Sequence, residues 1–155
     1  MSDSYIRLIP TDPVWQPDAA GAAAAVAYVG RLFAEPGDSV EAVEATFYEK
    51  VTLVDAGENT TDLSCGRCGK AIGLDWYTDL AEETGGTLGH LDVQVPCCNA
   101  VVPLPSVHFD WPVGFARFEV SARNATRAKY ELDADELMEL AGVLGHPVAQ
   151  VLAHY

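Results

Sequence analysis

The sequence predicts an α+β domain in which a ferredoxin-like split βαβ sheet is interrupted by a zinc-ribbon-like insert. Three observations carry that expectation. Outside residues 57–112, hydrophobic patterns run strand, helix, strand, strand, helix, strand, which is the split βαβ order. Inside residues 57–112 the chain becomes rich in glycine and turn residues and carries all four cysteines. A length of 155 residues with 49% hydrophobic content suits a single domain, 1–155, large enough to bury a core.

The elements follow in order. Tyr5-Ile6-Arg7-Leu8-Ile9 alternates and is closed by Pro10 and Pro13, as a first strand should be. Asp18 stands where an N-cap belongs, ahead of a helix over Ala19 to Ala34. There Ala22, Val26, Val29, Leu32 and Phe33 share one face, and Glu35-Pro36-Gly37 ends it. From Val40 to Val54 the period changes to two, giving one long strand or two paired ones. Gly114 to Val120 is a further strand with one apolar face. Asp133 and Glu136 form a capping box for a helix carrying Leu137, Leu140, Ala141 and Leu144, ended by Gly145. Pro147 to Tyr155 supplies the last strand. The third strand of the sheet is either the Val51 to Val54 arm or a neighbour of the Phe115 strand.

Charge narrows the function classes. A formal charge of −14, from 23 acidic against 9 basic side chains, repels phosphate backbones and favours a basic protein partner over nucleic acid. Four of the basic residues, Arg117, Arg123, Arg127 and Lys129, read as a solvated face and linker. Met1 to Tyr5 lacks the basic and apolar regions of a leader, and the longest soft stretch, Ala19 to Val29, is too short to span a bilayer, so the expected setting is cytoplasmic and membrane-free. In such a setting thiols stay reduced, and clustered cysteines read as metal ligands.

Cys65-Gly66-Arg67-Cys68-Gly69 has the two-residue spacing that aims two thiolates at one ion, with Gly69 letting the backbone curl beneath it. Val95-Pro96-Cys97-Cys98-Asn99 follows a β-like run and supplies the second pair. The pattern resembles a zinc ribbon, in which two such turns at hairpin ends grip a single tetrahedral zinc through Cys65, Cys68, Cys97 and Cys98. It departs from the ribbon because the second pair is adjacent. Neighbouring residues of an extended strand point opposite ways, so both ligate only if the chain turns at Cys97. Otherwise His90, His108 or a water completes the shell. A thiolate shell is closed and electron-rich, which favours a structural ion over a catalytic one.

No nucleophile elbow, phosphate loop or dinucleotide fingerprint is present. His108-Phe109-Asp110-Trp111-Pro112 reads either as a plug between insert and sheet or as an aromatic recognition loop. The acidic residues Asp75, Asp79, Glu82 and Glu83 recur at helical spacing and read as a solvated side. Together the two cysteine motifs, the run from Asp110 to Phe118 and the closing Gly145-His146-Pro147-Val148 resemble a family of small uncharacterised actinobacterial proteins. The resemblance spans about Val51 to the C-terminus. It implies that the adjacent cysteines belong to the pattern, and it brings no activity or functional residue. The leading expectation is a non-enzymatic, zinc-stabilised module that contacts a protein through His108, Phe109 and Trp111. The alternatives are an acidic immunity or inhibitor protein covering a basic toxin or nuclease, and a thiol redox or metal-dependent enzyme.

Overall fold

Alternation at the N-terminus produces β1 (Ser4–Pro10) in the computed structural model of the chain, which describes residues 2–88 and 91–155. Ile6 and Leu8 point to one buried face. Asp18 then caps α1 (Ala19–Arg31), its carboxylate accepting from Gly21 N–H at 2.7 Å. The helix stops three residues short of its predicted end. Leu32 N–H turns back to Val29 O, tightening the last turn ahead of Pro36.

The period-2 stretch forms a single strand, β2 (Ala42–Val54), whose register slips between Phe47 and Thr52. The Gln16 carboxamide donates to the carbonyls of Tyr48 at 2.9 Å and Arg117 at 2.8 Å, bridging the two strands at that irregularity. Next come β3 (Leu63–Ser64), β4 (Ala71–Ile72), α2 (Leu74–Thr84), β5 (Asp92–Gln94), β6 (Val101–Pro103), a 3-10 turn at Leu104–Ser106, and β7 (His108–Phe109). The chain closes with β8 (Gly114–Arg123), α3 (Ala134–Leu144) and β9 (Val148–His154).

The result is a mixed α+β architecture in which β1 to β9 pair antiparallel, with one parallel bridge among the described residues, from Gly57 to His154. The main sheet has the order β2-β8-β1-β9. Neither candidate offered by the sequence is the third strand: the Val51 to Val54 arm belongs to β2, and β2 pairs with β8, the Phe115 strand itself, which is the third long strand. Ile6, Leu8, Phe118 and Val120 form one cluster with Ala25 and Val29 of α1 and Leu140 and Leu144 of α3, which places both helices on the same face. Among the described residues no helix is long and apolar enough to cross a membrane.

The opposite face carries Arg7, one residue out of phase with Ile6 and Leu8. Its Nε donates to Glu119 Oε2 at 3.0 Å, and a terminal nitrogen donates to Asp55 O and Oδ1 at 3.1 Å and to the Tyr155 hydroxyl. Tyr48 donates to the other Glu119 oxygen. Burial and then that carboxylate push the Tyr48 phenol well above its ordinary value. Glu119 is 2% exposed, so this ion pair is costly to break from one side. Because Asp55 reaches Arg7 and Gly57 bridges His154, the chain leaving β2 crosses this helix-free face to the outer edge of β9. Val54, Ala56, Ile9 and Val151 close up beneath it.

The basic run reads differently in three dimensions. Arg127 is nearly buried, with guanidinium nitrogens 2.7 and 2.9 Å from the Glu136 carboxylate, and Arg123 pairs with Asp3 at 3.0 Å. Arg127 ties its loop to α3 and Arg123 ties β8 to the N-terminus, whereas Lys129 keeps the exposed position that the sequence suggested. The predicted capping box at Asp133 and Glu136 forms, so Glu136 serves the cap and Arg127 together.

Two outcomes are expected. A Cβ on Gly57, where φ is +60°, would lie 2.2 Å from His154 O. Gly57→Ala therefore lowers stability by about 2 kcal/mol or more, read as a shift of the denaturation midpoint. The hydrogen bonds from Arg127 hold the Glu136 carboxyl below its ordinary 4.5. Its contribution is complete above that value and is lost as pH falls through the depressed folded one. Glu136→Gln loses about 1.5–3 kcal/mol at neutral pH and shows a shallower acid decline than the wild type across that window.

Candidate metal centre and the Trp111 face

Two short hairpins deliver the cysteines. β3 pairs with β4 and, on its other side, with β7, while β5 pairs with β6. Each hairpin ends in a turn, at residues 66–68 and 96–98, so the chain does turn at Cys97 as adjacent ligation requires. The four Sγ atoms of Cys65, Cys68, Cys97 and Cys98 all lie within 4.8 Å of one another, and Cys68 and Cys97 sulfurs approach to 3.3 Å.

The surroundings suit thiolates. Arg67 N–H and Cys68 N–H point at Cys65 Sγ from 3.3 and 3.5 Å. Those backbone donors, Cys68 first, draw the Cys65 thiol down to about 6. Burial, followed by the crowding of Cys68, pushes Cys97 up to about 12. Four thiolates this close repel one another, and a cation that all four sulfurs share relieves that repulsion. Gly66 brings the first turn against the chain after β6. A Cβ there would stand 2.1 Å from Ser106 O, so no larger residue fits without moving the backbone.

An apolar core holds the insert together. Leu63, Ile72, Tyr77, Leu88, Val95, Val102, Leu104 and Val107 bury together with Leu53 of β2 and Phe115 of β8. Cys65 belongs to this core at 1% exposure, and Cys68 and Cys98 are exposed. Backbone bonds dock the insert along β2, with Leu53 N–H donating to Gly86 O at 2.7 Å and Leu88 N–H to Val51 O at 2.8 Å. Asp75, Asp79, Glu82 and Glu83 of α2 are all exposed beside it.

The residues predicted as a recognition loop divide between two roles. Phe109 packs edge-on against Tyr77 at 5.3 Å and is part of the insert core, so it serves as the plug. His108 is exposed on β7 and stands outside the cysteine group, and His90 lies outside the described residues. Asp110 anchors the loop by accepting from Thr61 N–H and Oγ1–H. Trp111 is left 41% exposed at a cleft of about 400 Å³, lined also by Asp110, Pro112, Glu131, Gln150 and Leu152. Sequence reasoning missed Glu131, Gln150 and Leu152, because nothing local relates them to a tryptophan 20 to 41 residues earlier in the chain. The signal for Trp111 itself was its place in a loop segment that puts two aromatics, a histidine and an acid together.

Gly66→Ala should displace the first turn, leaving at least one further thiol open to alkylation than in the wild type, as counted by mass spectrometry under native conditions. Comparison with protein-family models, with curated proteins and with solved structures returned no match, so the reading of these residues stands on their chemistry.

Proposed function

We propose that the chain is a non-enzymatic, cytoplasmic interaction module stabilised by one zinc ion and directed at another protein through its Trp111 face. The observation that carries it is the convergence of four sulfurs within 4.8 Å in the insert, whose 108–112 loop also leaves Trp111 41% exposed. The donor set fits zinc: four soft thiolates suit a tetrahedral ion, and a closed shell leaves no position for substrate. Bound zinc would supply cross-linking of the two hairpins, and the residues holding it would be Cys65, Cys68, Cys97 and Cys98. In the same reading the β2-β8-β1-β9 order with both helical crossovers on one face is a ferredoxin-like split βαβ sheet, and the hairpin pair is its zinc-ribbon-like insert.

For the partner, the aromatic at the cleft offers an anchor of the type that dominates interfaces, and Asp110 and Glu131 set an acidic rim. Charge favours a basic partner, since the −14 excess steers a cationic surface toward the chain. That same excess supports a second reading, an acidic inhibitor covering a basic toxin or nuclease. The two differ in salt dependence: an inhibitor held by charge weakens steeply with ionic strength, and a Trp-anchored contact does so far less.

Elemental analysis should find one zinc per chain, with four thiols protected until a chelator is added. A metal-free protein with two or more readily alkylated cysteines would sink the zinc reading. For the Trp111 face, Trp111→Ala should weaken a captured partner by about 2 kcal/mol or more while zinc content stays unchanged. Retention of every partner at wild-type strength would count against it.

A further inference from the structure

The two cysteine turns are built on the same backbone frame. Each joins its hairpin strands through six residues, 65–70 and 95–100. In the first, Cys65 N–H donates to Lys70 O at 2.9 Å, Gly69 N–H donates to Cys65 O at 3.0 Å, and Gly69 adopts φ +75°. In the second, Val95 N–H donates to Ala100 O at 3.0 Å, Asn99 N–H donates to Val95 O at 3.0 Å, and Asn99 adopts φ +57°. Glycine and asparagine are the residues that tolerate this left-handed conformation, so one turn geometry has selected both.

Matching the hydrogen bonds pairs position 65 with 95, 67 with 97, 68 with 98 and 69 with 99. Burial agrees. Cys65 is 1% and Val95 0% exposed, and both lie in the insert core, whereas Cys68 and Cys98 are both exposed. Cys98 is thus the counterpart of Cys68. Cys97 matches Arg67, a position that contributes no ligand in the first turn.

We infer that the second turn is a complete metal knuckle whose first ligand position is held by Val95, and that Cys97 supplies the fourth thiolate from a neighbouring position of the same turn. The inference rests on the zinc reading and deepens it. It explains how adjacent residues both reach the cluster: Cys98 points inward by the frame of the turn, and Cys97 approaches across its crest, 3.3 Å from Cys68 Sγ. It also makes Val95 the residue that decides which thiol of the second turn is needed. A cysteine there is of similar size and apolar character, and the matching position 65 already accommodates one.

The test moves the ligand. Cys97→Ser alone should lower zinc affinity by more than the roughly 10–100-fold that an outer-shell change costs. Combining it with Val95→Cys should restore affinity to within about 10-fold of wild type, measured by competition with a chromogenic chelator, and restore the thiolate charge-transfer absorption of the cobalt-substituted protein. In Val95→Cys alone, with zinc bound, native alkylation should label Cys97 and spare the thiol introduced at position 95. The inference is overturned if the double variant binds zinc no better than Cys97→Ser, or if the label falls at position 95. Unfolding of either variant by circular dichroism overturns it too, because the shared frame would then not be shared. A wild-type protein without zinc would instead defeat the zinc reading itself, so the two failures are distinguishable.

Discussion

The antiparallel pairing of β2 with β8 is the constraint on which the rest of this molecule hangs. Val54 and Gly114 are cross-strand partners at the end of that ladder, so the chain leaves and re-enters the main sheet at one point. Everything between them is the extended tip of a hairpin. Closing so long a loop costs only logarithmically more than closing a short one, and the pairing of its ends meets that cost once. Close approach is built in at the return point: a Cβ on Gly114 would lie 2.1 Å from Ile9 Cδ1, so the Ile9 side chain would have to shift for any larger residue.

From that point the insert is secured by three unlike interactions. Residues 86–88 continue the sheet along β2 through backbone bonds, and residues 56–58 do the same along β9, where Glu58 N–H donates to His154 O at 2.7 Å. Between the edges, Arg7 gathers Glu119, Asp55 and Tyr155 into a polar hub on the helix-free face. The insert core then buries Leu53 and Phe115, so insert and main sheet share apolar residues directly. Metal ligation would act on a unit already packed, locking the orientation of two hairpins whose strands of two or three residues are too short to hold themselves. That division of labour places Cys65 inside the core and leaves Cys68 and Cys98 at its surface.

Charge is distributed by the same logic. Of the few cations, Arg7, Arg123, Arg127 and Lys129 are engaged in ion pairs within the chain. Much of the acidic excess therefore faces outward, including the exposed side of α2 and the rim of the Trp111 cleft. Exposed pairs such as Lys129 with Asp133 contribute little to stability, whereas the enclosed Arg127–Glu136 pair fixes the approach to α3.

What the sequence determined by itself was local. The caps at Asp18 and at Asp133 with Glu136, the stop at Gly145 and the two-residue spacing of Cys65 and Cys68 are interactions among residues three or four apart, and each left a readable pattern. The approach of the two cysteine pairs was legible because their chemistry gives them one shared use. What only the tertiary structure decided was non-local. Whether Val40 to Val54 ran as one long strand or two paired ones, whether Arg127 was solvated or enclosed, and which residues face Trp111 all depend on contacts between segments tens of residues apart. Local patterning says which side of an element is apolar and leaves open what covers it. The turn-rich insert was the sharpest case: its apolar residues follow no single period because they converge from five short strands, a helix and a 3-10 turn, and their common core exists only once those pieces are folded together.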